Sequence, residues 1–327
     1  MGHYLLTGCA GFIGSRVAEL LLAEGHHLVG VDNLNDSYDP RLKHWRLDQT
    51  LRHRNFQFLE LDVADEEALA AEVSAENRFD AIINLAARAG VRQSVAEPAV
   101  YFETNLLGTL NLLEMARSRG IPKFILASTS SVYGSQQEMP YREDQNTECP
   151  LSPYAASKKA AEVLCHTYHH LHGIDVTIFR YFTVYGPAGR PDMSVFRFTQ
   201  WIAEGRPVYV FGDGRQSRDF TYVDDIARGT IAGLQSVGYG IFNLGSDSPV
   251  ALSELIRTIE EILDRKAELR FQPLHAADVR ATWADVSKAR HQLGWTPAFG
   301  FREGVELFVQ WYRENQDWAS QISTGAL

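Results

Sequence analysis

Apolar residues fall into two alternating patterns over the first half of the chain. Short β-branched or apolar runs lie at His3–Thr7, His27–Asp32, Gln57–Glu60, Ala81–Asn84, Lys123–Ser128 and Val176–Arg180. Between them, apolar residues recur at helical spacing over Ile13–Glu24, Glu66–Ala75, Pro98–Arg117 and Pro153–His172. Strand and helix alternating this way predict repeated βαβ units, hence a doubly wound parallel sheet covered on both faces. After Arg180 the rhythm breaks at the turn-rich Tyr185-Gly186-Pro187-Ala188-Gly189-Arg190-Pro191. A helix near Val195–Glu204, a strand at Ile241–Leu244 and amphipathic helices at Leu252–Leu263 and Phe301–Glu314 follow. The pattern predicts one larger unit over residues 1–180, with a returning segment near 220–250, and a smaller α/β lobe over 181–327.

Composition narrows the function. The 327 residues are 45% hydrophobic and 22% charged, and 41 acidic side chains outnumber 31 Lys and Arg. A net charge of −10 without a basic run excludes a nucleic-acid partner but leaves room for a small anion met by local arginines. No apolar run is long enough to span a bilayer, so no membrane partner is expected. The N-terminus runs straight into a strand, and Cys9, Cys149 and Cys165 are scattered; both features read as cytoplasmic. The histidines at 166, 169, 170 and 172 lie at the far end of their helix without acidic or thiol partners at ligand spacing, so no metal is expected.

The chemistry starts at Thr7-Gly8-Cys9-Ala10-Gly11-Phe12-Ile13-Gly14, between the first strand and first helix. Glycines here permit a tight turn and close approach of backbone to a pyrophosphate, which the helix N-terminus then stabilises. Asp32 ends the second strand, where a carboxylate accepts from ribose hydroxyls and disfavours a 2′-phosphate; NAD is the expected cofactor. Further along, Tyr154 and Lys158 open a helix and share one face, so the ammonium can stabilise a phenolate. Thr129 stands at the carboxyl end of a predicted parallel strand, the edge where open α/β sheets bind ligands.

Together, GxxGxxG, Asp32, Asn84-Leu85-Ala86-Ala87, Asn105, Thr129 and Tyr154/Lys158 resemble the extended short-chain dehydrogenase/reductases, which have a Rossmann-type fold. The resemblance covers nearly the whole chain. It implies Thr129, Tyr154 and Lys158 as catalytic residues. It implies a bound NAD contacted by Gly8, Gly11, Phe12, Ile13, Gly14, Asp32, Asn33, Asp62, Val63, Leu85, Ala86, Ala87, Asn105, Ser128, Tyr154, Lys158 and Tyr181. Gly212–Phe220 and Ala277-Asp278-Val279 look like nucleotide-sugar segments of that family's epimerases and dehydratases. Arg218 would then contact a diphosphate, and Asp278 would sit near a uridine ribose.

Dehydratases and decarboxylases of the family carry carboxylates just after the catalytic Thr; here those positions are Ser130 and Ser131. Neither can serve as an acid or base, which favours C4 epimerisation. Gly189-Arg190-Pro191-Asp192-Met193 and Ala87–Arg92 resemble segments of the UDP-glucuronate 4-epimerases, with departures at Ala188 and Arg280. A UDP-glucuronate/UDP-galacturonate substrate is implied, with Arg88, Ser130, Ser131, Thr183 and Arg190 as candidate contacts. The alternatives are a UDP-glucose/galactose 4-epimerase and a UDP-glucuronate decarboxylase. Pro98–Arg117 and Pro153–His172 are amphipathic enough to pair across a homodimer axis.

Overall fold

The structure, a computed structural model, describes residues 1–74, 77–135, 138–273 and 279–325. Six strands come from the first half: β1 (His3–Thr7), β2 (His27–Asp32), β3 (Phe56–Glu60), β4 (Ala81–Asn84), β5 (Lys123–Thr129) and β6 (Asp175–Tyr181). Each falls within about a residue of its apolar run. They form an all-parallel sheet, ordered β3-β2-β1-β4-β5-β6 across its first six places. The order reverses between β1 and β4, and the carboxyl ends of these two strands define the crevice where such sheets take ligands. β4 and β5 are buried along their whole length, as the helix layers on both faces require.

The second half adds β7 (Thr183–Tyr185), β8 (Val208–Phe211), β9 (Ser217–Tyr222), β10 (Tyr239–Leu244), β11 (Pro249–Ala251) and β12 (Leu269–Gln272). β10 returns to the main sheet as its seventh strand, parallel to β6. β11, β9 and β7 make a small three-stranded sheet, and β12 pairs with β8. The helices Ser194–Glu204, Leu252–Leu263 and Phe301–Glu314 pack around these strands in a separate core containing Phe196, Phe220, Phe308 and Tyr312.

The structure departs from the periodicity reading in three places. Pro98–Arg117 is not one regular helix: a π-helical turn at Glu103–Leu107 separates Pro98–Phe102 from Gly108–Arg119. It sits where Asn105 turns inward to bond the Arg88 backbone and Ser157. The stretch after Asp32 holds a helix, Pro40–Asp48, absent from the periodicity reading. Its buried face carries Lys43 and Arg46 beside Leu42 and Leu47, so no apolar stripe marks it. The helix expected over Glu66–Ala75 spans Glu66–Glu72; Ala75 lies outside the described residues.

Candidate active site

The glycine loop closes tightly. Gly8 and Cys9 donate to the Val31 carbonyl (2.7 and 3.3 Å), and Gly11 donates to Gly8 (2.9 Å). Gly8 has φ +69°, and a Cβ there would lie 2.7 Å from the Ala86 backbone nitrogen. A Cβ on Gly14 would overlap the Gly8 carbonyl oxygen. Phe12, Ile13 and Gly14 begin the first helix, Phe12–Ala23. A cradle that only glycine can line, opening on a helix N-terminus, fits a dinucleotide pyrophosphate.

Asp32 is buried beside it and accepts from Ala10 N (3.2 Å) and Leu34 N (2.9 Å). Lys43, also buried, lies 3.4 Å from the same carboxylate and bonds Asn35 (3.1 Å). The Asp32 charge is therefore partly neutralised. Asn33 donates to Asp62 (2.7 Å), joining the ends of β2 and β3. Asp62 accepts from Ala64 N, and the Val63 carbonyl accepts from Asn111. Thr7 donates to Asn84 (2.8 Å) and accepts from Ala86 N (3.2 Å), which sets the Leu85-Ala86-Ala87 strand end against the glycine loop. Asn105 brackets Arg88 by accepting from its N–H (2.9 Å) and donating to its carbonyl (3.0 Å).

At the end of β5, Thr129 Oγ1 accepts from Ser131 N (3.1 Å) and bonds Ser131 Oγ (3.2 Å). Tyr154, near the start of Pro153–His172, hydrogen-bonds Thr129. Burial pushes the Tyr154 phenol up, and the Thr129 bond and the Arg190 charge act against it. Lys158 is buried and donates to the Ala127 carbonyl (2.8 Å); burial brings its ammonium down to about 8. The spacing of four places Tyr154 and Lys158 on one helix, and the Arg190 charge also acts on Tyr154. The lysine side chain ends on the strand that carries Thr129.

Two of the sequence-derived contacts turn elsewhere. The Ser128 hydroxyl points away from the crevice and donates to Glu162 (2.6 Å), itself paired with buried Arg180 (2.9 Å). Strand alternation sets this, since Ser128 and Thr129 must face opposite sides of β5. The Tyr181 hydroxyl bonds Thr230 (2.7 Å) under the helix Val223–Ala232, so only its main chain, in register with Thr129, lies by the crevice.

The Arg190 charge acts on Tyr154. Arg190 forms a fork with Asp192 (3.1 and 2.6 Å) and donates to Ala89 O (3.3 Å). Tyr101, buried, packs edge-on to Tyr154 with ring centroids 6.1 Å apart. Burial pushes the Tyr101 phenol up, and the charges of Arg190 and Arg88 counter it. Arg197 faces both Asp192 and Arg92. Thr183 opens β7, half-buried. Ser130 is half-buried beside Thr129. Arg218, on β9, donates to Ser217 O (2.8 Å) and Arg280 O (3.4 Å) and lowers the Tyr141 phenol against its burial. Asp278 lies outside the described residues, as does Ala277.

Residues 5–308 match the model of the GDP-mannose 4,6 dehydratase family. The chain belongs to this family. Its fold and dinucleotide cradle are those of the family's parent group, the extended short-chain dehydrogenase/reductases. A relative from Thermodesulfobacterium geofontis, a UDP-glucuronate 4-epimerase, is 52% identical over 316 residues, 96% of this chain and 97% of that one. The structure resembles the Bacillus cereus UDP-glucuronic acid 4-epimerase in complex with UDP-glucuronic acid and NAD (TM-score 0.89, 35% identity, 96% and 99% coverage). It also resembles a Thermotoga maritima UDP-glucose 4-epimerase with UDP-glucose (0.86, 34%, 96% and 99%). The family resemblance leaves several residues of this site unmarked: Lys43, Arg46, Tyr101, Arg197 and Glu162. Only the Lys43/Arg46 pair, three apart in a polar stretch bounded by Pro40, carried a readable signal.

Proposed function

We propose that the protein interconverts UDP-glucuronate and UDP-galacturonate by oxidising and reducing the sugar at C4, as an isomerase with bound NAD. One observation carries the reading. The end of β5 presents three hydroxyls, Thr129, Ser130 and Ser131, and no carboxylate, while the charge of Arg190 acts on Tyr154 and the charges of Arg190 and Arg88 both act on Tyr101, which packs against Tyr154. The hydroxyls suit binding over elimination, and the arginines suit an acidic sugar. The 52% identity to a UDP-glucuronate 4-epimerase supports the same substrate.

The glycine cradle, Asp32, Asn33, Asp62 and the Leu85–Ala87 strand end would hold NAD, with Lys158 at the reactive end. Bound NAD supplies a two-electron acceptor that takes hydride from C4 and gives it back. Tyr154 accepts the C4 hydroxyl proton and later returns it, with Thr129 relaying through their hydrogen bond. Lys158 and Arg190 keep positive charge near the phenolate as it forms. Oxidation at C4 leaves a ketone β to the C6 carboxylate, a species prone to lose carbon dioxide. Ser130, Ser131 and Thr183 hold that carboxylate by hydrogen bonds, so that the C5–C6 bond stays out of line with the ketone. None of them offers C5 a proton.

We assign the cofactor to residues 1–180 with the returning 220–250 segment, and the nucleotide sugar to the lobe over 181–327, where Arg218 and Asp278 contact the UDP. A homodimer is supported by apolar side chains left exposed on neighbouring helices: Val95 (56%), Phe102 (39%), Leu107 (43%) and Val163 (56%). Three unpaired cysteines support a cytoplasmic site, and no helix among the described residues is long and apolar enough to cross a membrane. The deciding experiment is incubation with UDP-glucuronate and no added NAD, with products resolved by NMR. UDP-galacturonate at equilibrium supports the reading; UDP-xylose, or no product, overturns it.

A further inference from the structure

Arg46 is buried, only 2% exposed, on the helix Pro40–Asp48. Its guanidinium donates to Ala188 O from Nε (3.0 Å) and Nη2 (2.6 Å), to Gly189 O (3.4 Å), to Ala10 O (3.3 Å) and to Tyr38 Oη (2.6 Å). All these partners are neutral, and no carboxylate of the described residues lies within ion-pair distance. Burying an arginine without a counter-charge is costly, so its fork must secure something the fold needs. Two of its contacts identify what that is. Ala10 belongs to the glycine loop. Ala188 and Gly189 immediately precede Arg190, whose charge acts on Tyr154. Ala188 itself holds φ +51°, a left-handed conformation that a residue with a Cβ keeps only under constraint.

We propose that Arg46 is a positioning residue for the catalytic centre: it locks the Ala188–Gly189 turn onto the glycine loop and so fixes the position of the adjoining Arg190. The cofactor cradle and the sugar pocket then share one buried clamp. A lysine keeps the charge but cannot reach three carbonyls and a phenol in one plane. Loosening the turn moves Arg190, and Tyr154 loses part of the field that favours its phenolate.

The test is Arg46→Lys in the full-length holoenzyme, and it rests on the reading of Tyr154 as the base. That reading is checked separately by comparing wild type with Tyr154→Phe. Four quantities are measured: kcat and KM for UDP-glucuronate, the acid limb of kcat/KM, the ultraviolet difference titration of Tyr154 against a Tyr154→Phe blank, and the melting temperature. The expected variant folds and retains NAD, loses about tenfold in kcat, and titrates Tyr154 and the acid limb at higher pH. In an Arg190→Ala background the same change should cost less than about twofold more, since coupled residues are not additive. A folded Arg46→Lys with wild-type kcat and acid limb overturns the proposal, as does a full loss that persists on top of Arg190→Ala. Should Arg46→Lys fail to fold, Tyr38→Phe removes one acceptor from the fork and takes the same readouts. A Tyr38→Phe variant with unshifted Tyr154 titration and unchanged kcat then overturns it.

Discussion

Lys158 donates to the carbonyl of Ala127 at 2.8 Å, joining the helix that carries Tyr154 to the strand that ends in Thr129. A second tie runs alongside: Ser128, on the same strand, donates to Glu162 on the same helix. Thr129 and Tyr154 thus meet because two buried bonds hold their elements in register.

Tyr154→Phe should lower kcat by about 10²-fold or more, since proton transfer by a placed side chain contributes on that scale. UDP-glucuronate binding, measured by calorimetry, should stay within about threefold. Thr129→Val should cost less, because the phenol remains. A Tyr154→Phe variant with near-normal turnover would show that another group takes the C4 proton.

The alkaline limb belongs to Lys158. Burial brings its ammonium down to about 8, so it is cationic below that pH and neutral above. kcat/KM of the wild type should fall as pH rises through about 8. Because the folded state releases this proton more readily than the unfolded chain, Lys158 opposes folding most below pH 8, and the penalty fades towards about 10.4. Lys158→Met should therefore be inactive yet melt about 2–5 °C higher at pH 7, an advantage that shrinks by pH 10. Equal melting temperatures at pH 7 would contradict this.

Gly14→Ala should expel the cofactor. The added methyl meets the Gly8 carbonyl oxygen, a backbone atom that cannot swing aside. Cofactor released on denaturation should fall to less than about a tenth of the wild-type amount, with a loss of stability of about 1–3 kcal/mol. Full NAD content in this variant would mean that the loop opens far more easily than its hydrogen bonds indicate.

Specificity should follow the C6 charge. A buried arginine or hydroxyl left without its carboxylate loses about 1–3 kcal/mol, so UDP-glucuronate should exceed UDP-glucose by at least about tenfold in kcat/KM. Thr183→Val and Arg190→Ala should erode that ratio and release UDP-4-keto-pentose or UDP-xylose, detectable by NMR. Equal rates for the two sugars in the wild type would remove the carboxylate from the recognition scheme.

Val163→Glu should shift the protein towards monomer in light scattering, because it places a charge in the exposed apolar helix face. An unchanged mass would place any assembly elsewhere.

Much of this molecule is legible in the sequence because its first six strands are short, mostly apolar or β-branched runs and its glycine loop leaves no room for a Cβ at Gly8 or Gly14. What escaped has a common cause. The helix Pro40–Asp48 buries Lys43 and Arg46 where a pattern search looks for Leu, and β9 buries Asp219 and Thr221 between Phe220 and Tyr222. Besides neighbouring Thr221, Asp219 accepts from Ser246 and Ala284, residues distant in sequence, so little in the local pattern announces that it is inside. Arg88 and Arg190 are legible along the chain, but Tyr101, on which both charges act, is not, since the three come together only in three dimensions. Side-chain direction is likewise invisible along the chain: the Ser128 and Tyr181 hydroxyls turn to Glu162 and Thr230.

The return of β10 to the main sheet has a consequence for how the chain can be divided. β6 ends at Tyr181 and β10 begins at Tyr239, so much of the smaller lobe is threaded between two adjacent strands of the larger one. No single peptide cleavage separates the halves. A fragment ending near residue 181 would leave β6 as a bare edge, with apolar Phe179 and Tyr181 stripped of their covering helix. A circular permutant opened within residues 182–238 would keep every strand of the sheet, and its new termini would report which lobe organises first as the protein emerges from denaturant.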